Sequence, residues 1–253
     1  MSKFSVVQNS LDPIDRDAMR RAFERLDFLT PNDVAGISRH AFGVLIDRMD
    51  RDRAEAVCRA LGEEEIDCCV VEADKFFALP GSQHVRRMDV SGEGLVIYDT
   101  LDRPGTVAWD RVEMVAAGYV RDISFKRERA EDIPKSGTHM FTGATSSILT
   151  TEAKSTTMRM EVLYRDEGDL AACRVDGQRF NYGYLGDRKG GSVAENFAVV
   201  VKDVAGFAVG AKMNRGVRSI VDSSDEVLLY PNLAAYEEEL AWWLWQADDG
   251  ECD

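Results

Sequence analysis

The sequence changes rhythm at Leu79-Pro80-Gly81. Before that point it reads helix, helix, strand, helix, strand. After it come strand-length apolar runs separated by tight-turn residues, and then two helical segments. A chain punctuated this way folds as α+β, with a small βαβ-containing N-terminal part over 1–80 and a mainly antiparallel part over 81–253. The few residues around Pro80 are too short to act as a free linker.

In the N-terminal part, Met19, Phe23 and Leu26 share one face of a helix over 13–26. Thr30-Pro31-Asn32-Asp33 starts a second helix, with Thr30 as cap, Pro31 in the first turn and an acid three residues after the cap. Gly43 to Met49 is a short apolar strand. Asp50 then caps a helix carrying Ala54, Val57, Cys58 and Leu61, which Gly62 ends. Ile66 to Val71 is a second buried strand, so the spacing predicts a crossover between two parallel strands. Two strands cannot stand alone, and a third strand from elsewhere, or docking on the C-terminal part, is expected.

Beyond Pro80, runs at 85–90, 95–98, 105–109 and 112–125 read as strands, and Asp166-Glu167-Gly168-Asp169 is a hairpin turn between 158–165 and 170–175. Helices are expected over 193–207 and 233–247. Lys126 to Thr157 is rich in Ser, Thr, Gly and charge without an apolar period, and reads as a long loop or disordered insertion.

Composition bounds the function. With 45% hydrophobic residues in 253, the chain can bury a real core. A net charge of -14 and a pI near 4.7 argue against binding nucleic acid or an anionic membrane, which require a basic footprint. The five cysteines, Cys58, Cys68, Cys69, Cys173 and Cys252, show no CxxC spacing. The first residues form no apolar signal core, and no segment approaches the ~20 apolar residues of a membrane span. The expected setting is cytoplasmic, with reduced thiols.

The Gly183–Gly191 stretch is the best local candidate for contact with a small ligand. Arg188, Lys189, Gly190 and Gly191 lead into Ser192, which with Glu195 forms a capping-box pattern at a helix start. Free amides there, adjacent glycines and a lysine could hold a phosphate or carboxylate. The simpler reading is a loop ending in a well-capped helix, with Glu195 competing for the same amides. No phosphate-loop pattern is present.

His40, His84 and His139 are far apart and have no ligand partner at i+3 or i+4, so no metal site and no cofactor are expected. Cys68 and Cys69 are adjacent on a strand and point to opposite faces, which favours burial over redox chemistry. Ser91, Ser136, Ser146 and Ser147 lie in no nucleophile motif.

The last helix is apolar far round its circumference. Leu233, Tyr236, Leu240, Trp243 and Leu244 fall within one broad face, and Trp242 and Trp245 lie outside it. Such a helix is either clamped on both sides or supplies a contact surface for a protein partner or a second copy, with Trp242 and Trp245 as anchors.

Gly94 to Asp99, a turn, and Val107 to Val112 with Trp109-Asp110-Arg111 resemble a strand pair of a bacterial pleckstrin-homology-like domain. The helix from Tyr236 to Trp245 is similar to the helix that plugs such a barrel. The whole chain resembles bacterial two-part proteins with a βαβ N-terminal half, from which no activity carries over. The resemblance implies a binding scaffold for lipids, peptides or other subunits, and the acidic charge makes the lipid version the poorer one. The sequence therefore leads to a non-catalytic binding or regulatory module that could self-associate. The alternative is a sensor or enzyme for a small phosphorylated or acidic ligand at 186–192.

Overall fold

The structure is a computed structural model and describes residues 2–11, 14–40, 42–76, 78–99, 101–129, 148–223 and 227–247. The N-terminal elements are β1 (Phe4–Gln8), α1 (Arg16–Glu24), α2 (Pro31–His40), β2 (Val44–Met49), α3 (Arg51–Gly62), β3 (Cys68–Glu72) and the single turn α4 (Ala73–Phe76). Both caps expected in this part form, the Thr30 hydroxyl accepting from the amide of Asp33 and Asp50 from the amide of Arg53, and Asp15 caps α1 by accepting from the amide of Asp17. α1 buries Ala18, Met19, Ala22 and Phe23, and α3 buries Ala54, Val57, Ala60 and Leu61.

The missing third strand is β1, which lies between β2 and β3 and runs antiparallel to both. β2 and β3 are thus parallel to each other, as the crossover requires, but they are not neighbours. Alternation along β1 sends Val6 and Val7 to opposite faces, and both are fully buried. Val6 joins Leu45 and Val70 under α1 and α3, while Val7 joins Val44, Cys69 and Val71 on the other face.

The C-terminal part begins with β4 (Ser82–Val85), β5 (Met88–Ser91), β6 (Gly94–Tyr98) and β7 (Pro104–Val107). The run expected as one strand over 85–90 is broken at Arg86-Arg87, and its halves serve two sheets. β5, β6 and β7 form a three-stranded antiparallel meander. Trp109, Asp110 and Arg111 make a short turn, and Trp109 stacks on Phe207 with ring centroids 5.5 Å apart.

The larger sheet contains β8 (Val112–Arg129), β9 (Ile148–Asp166) and β10 (Asp169–Asp176). These pair antiparallel, and β4 closes one side in parallel with β10. Much of the stretch read as a loop is strand. Lys126 pairs with Thr151, Arg127 with Thr150 and Arg129 with Ile148, and residues 130–147 lie outside the described residues. The ladder runs past the end of the apolar pattern because main-chain bonds carry it and threonines suit extended backbone.

The remaining elements are α5 (Val193–Phe207), β11 (Lys212–Met213), α6 (Arg215–Val221), β12 (Leu229–Tyr230) and α7 (Leu233–Ala247). β11 and β12 both add in parallel to β8, which gives the larger sheet six strands. The helix between the two C-terminal sheets is α5, whose Phe197, Val200, Val201 and Val204 pack with Leu95, Ile97, Met160 and Val162. The plugging helix expected from the resemblance was α7. α7 lies on the outer face of the six-stranded sheet, with Tyr236 and Leu240 in one cluster with Met114, Ala116 and Val120 of β8.

Candidate functional site

The structure brings the residues around Ser192 together, and they satisfy one another. The Ser192 hydroxyl accepts from the Glu195 amide and the Glu195 carboxylate accepts from the Ser192 amide, each at 3.1 Å. The Gly190 amide donates to Asn196 Oδ1 at 2.7 Å. A side chain at Gly190 would meet the Glu195 carboxylate at 2.7 Å, so that acid lies directly over the glycine. Arg188 turns back onto α5 and pairs with Asp203 at 2.8 Å. Asp203 also accepts from the Tyr184 hydroxyl, and burial together with the Asp203 charge pushes that phenol well above its ordinary pKa. Lys189 and Gly191 are exposed. An incoming anion must displace Glu195 from Ser192 to reach the helix amides.

Trp242 and Trp245 do form an interface, and it is internal. Trp242 is 4% exposed, and its indole Nε1 donates to the main-chain oxygen of Gln8 at 2.7 Å. Its ring lies against Gly43, where an added Cβ would come within 3.2 Å of the indole and where φ is +71°. Only glycine fits both conditions without strain. Trp245 is half-buried, with ring centroids 6.0 Å from Phe76 and 6.5 Å from Trp242. On the opposite side of α7, Tyr236 and Leu240 pack against Met114, Val120 and Leu163. The helix is clamped between two sheets, and Trp242 is unavailable to a second molecule while that packing holds.

Buried polar groups reinforce the clamp. Asn214 caps α6, accepting from the amides of Val217 and Ala117 and donating to the Ala117 carbonyl and Tyr230 hydroxyl, all at 3.0 Å. The Tyr230 hydroxyl donates to Glu239 at 2.7 Å, and Glu239 also accepts from the main chain and guanidinium of Arg215. A second group centres on Glu161, which is 3% exposed and accepts from Arg159 and Arg174. Such charges are tolerable in a core because each is paired.

Sequence reasoning missed the cleft beside β7. A cavity of about 350 Å³ is lined by Gln83 of β4, Ile97 of β6, all four residues of β7 and Tyr164 and Asp166 of β9. Asp99 builds the turn that leads into β7. It accepts from the amides of Leu101 and Arg103 and from the Arg103 guanidinium, and the Arg103 amide leads in lowering its pKa. Among the described strands β7 ends its sheet. The Asp99 amide donates to the Arg103 carbonyl, which fixes the phase of the ladder. Counting along the register, Ile97 and Gly105 exchange bonds, while Val96 and Thr106 form a non-bonded pair. The N–H and C=O of Thr106 therefore point away from β6. The only sequence signal was a short strand holding both Pro104 and Gly105, a composition typical of sheet edges.

Another cavity of about 450 Å³ lies between α1 and α2, where Arg20 is already paired with Asp17 and Glu24. Of the histidines, His84 is exposed on β4 and His139 lies outside the described residues. Among the described residues no group of three or more His, Cys, Asp or Glu is placed to hold a metal ion, and no helix is long and apolar enough to cross a membrane. Cys58, Cys68 and Cys173 carry free thiols, whereas Cys69 is disulfide-bonded, contrary to the expectation of thiols reduced throughout.

The architecture defines an α+β protein with one helix shared between two sheets. No protein-family profile matches the chain, and neither a curated protein nor a solved structure matches it.

Proposed function

We propose that the protein is a non-catalytic binding or regulatory module whose cleft along β7 takes an extended peptide segment of a protein partner. The free edge at Thr106 carries this reading. Its N–H and C=O point away from β6, and Thr106 lines the cleft together with Gln83, Tyr164 and Asp166. Strand addition draws affinity from main-chain hydrogen bonds and specificity from side-chain contacts along the groove. The half-buried Tyr164 offers apolar surface, and Asp166 with the chain's net charge of -14 favours a segment bearing basic residues. The resemblance to pleckstrin-homology-like scaffolds leans the same way.

Selection of a random peptide library against the full chain tests this. Selected peptides should bind saturably and shift the amide resonances of Gly105, Thr106 and Val107. Absence of saturable binding, or shifts confined to another surface, overturns it. The reading as a sensor or enzyme for a phosphorylated or acidic ligand at 186–192 is less well supported. It needs Glu195 to release Ser192, and Arg188 is held by Asp203. Phosphate titration of wild type and Lys189→Ala separates the two, since only that reading expects saturable binding lost in the variant.

A further inference from the structure

α3 ends a few residues before β3 begins, and the short connection folds Cys58 back over Cys68. Cys58 Sγ lies 3.3 Å from Cys68 Sγ and 3.0 Å from the Cys68 carbonyl oxygen. A disulfide needs about 2.05 Å between sulfurs. The two sulfurs would have to close a remaining gap of roughly 1.3 Å. Both residues are only partly buried, so a small oxidant can reach them. Cys68 faces α3, whereas its neighbour Cys69 packs on the opposite side of the sheet.

We propose that Cys58 and Cys68 form an oxidisable dithiol, in which a hydroperoxide oxidises Cys58 and Cys68 resolves the product as a disulfide joining α3 to β3. The Cys58 thiolate attacks one oxygen of the hydroperoxide. The O–O bond breaks, an alcohol or water leaves after taking up a proton, and Cys58 becomes a sulfenic acid. The Cys68 sulfur then attacks the Cys58 sulfur, the S–O bond breaks and water leaves, carrying the proton from Cys68. The two thiols are oxidised by two electrons and one hydroperoxide is reduced.

The surroundings favour Cys58 as the attacking group. The hydrogen bond from Cys68 lowers the Cys58 thiol to about 7, with Arg59 assisting and with burial and Asp67 opposing. The same contact raises the Cys68 thiol, which keeps that proton in place until the second step. Cys173 shows the contrast: it is fully buried on β10, and burial pushes its thiol up to about 12. Thiolate character with access marks a peroxide-sensitive cysteine, and buried thiols are inert.

The test uses the full chain, reduced with a phosphine, exposed briefly to hydrogen peroxide at neutral pH and then alkylated. Tryptic mapping with fragmentation should find the peptide 54–59 joined to 60–75 through Cys68 and not through the adjacent Cys69, which the phosphine also frees, with a loss of about 2 Da for the disulfide and with Cys173 still alkylated. In Cys68→Ala the join should vanish and Cys58 should instead be labelled by dimedone as a sulfenic acid. In Cys58→Ala rapid oxidation of Cys68 should disappear. The proposal is overturned if wild-type Cys58 stays as alkylatable as Cys173, or if the join persists in Cys68→Ala. The wild-type map alone decides the matter if a variant does not fold.

Discussion

Trp242 and Gln8 stand 234 positions apart in the chain, yet the indole of the first donates a 2.7 Å hydrogen bond to the main-chain oxygen of the second. Gln8 also holds Gly43 through two bonds, its side-chain oxygen accepting from the Gly43 amide and its own amide donating to the Gly43 carbonyl. Strand β1, the turn before β2 and helix α7 thus meet at one point. The N-terminal sheet takes one of its covering layers from the far end of the chain.

Trp242→Ala should therefore unfold the chain more easily without changing its association. Removing a buried tryptophan costs about 3–5 kcal/mol, readable as a lower midpoint in urea. The mass in solution should be unchanged under conditions where the variant is folded. Unchanged stability with an altered mass would show that Trp242 serves a second molecule instead.

α6 crosses β8 in main-chain contact, since a Cβ on Gly216 would fall 1.9 Å from the Ala117 carbonyl oxygen. Backbone cannot yield as a flexible side chain can. Gly216→Ala should cost about 3 kcal/mol, whereas Gly206→Ala, with open space around it, should be neutral or stabilising. Equal stability of the two variants would contradict this packing.

Glu238 gives the packing of α7 a pH dependence. Burial, and secondarily the Asp47 charge, raise its carboxyl from 4.5 to about 7. The folded state holds this proton more tightly than the unfolded state does. Its stabilising contribution is complete below about pH 4.5, declines as pH rises towards 7 and is gone above that. Glu238→Gln should remove this slope and make the chain more stable than wild type at pH 8, by up to about 3 kcal/mol. Parallel stability–pH curves for the two proteins would count against it.

Alkylation of Cys58 should follow a thiolate titration centred near 7, because the Cys68 hydrogen bond is the largest influence on it. Rates rise through that pH and level off above it. In Cys68→Ala the midpoint should move up towards the ordinary thiol value. A wild-type midpoint already at that value would remove the chemical basis for preferential attack by Cys58.

Much of the architecture was legible in the sequence because it rests on local chemistry. The caps at Asp50 and Ser192 and the bounds of α5 and α7 follow from side chains that act within one turn of their own position. What escaped was non-local. β1 offers only Phe4 to Gln8, too short to register until it is seen between β2 and β3. The arm of β8 and β9 is carried by main-chain pairing that leaves no apolar alternation to read. The tryptophans of α7 marked an interface, but whether the partner is another molecule or the chain's own first strand depends on tertiary placement. Ser192 and Glu195 form the capping box that their spacing predicts, whereas the ion pair of Arg188 with Asp203 could not be foreseen from spacing. The cleft escaped because an outward-facing amide at Thr106 follows from ladder phase, which residue type does not encode.

The most direct measurement is the affinity of a selected peptide for Thr106→Pro beside Thr106→Ala. Proline at this position removes the Thr106 amide, which points away from β6, and leaves the bonds between β6 and β7 in place. Loss of one main-chain hydrogen bond with its partner left unpaired predicts binding weaker by about tenfold or more for Thr106→Pro, with Thr106→Ala close to wild type. Equal affinity for wild type and both variants would contradict strand addition at β7.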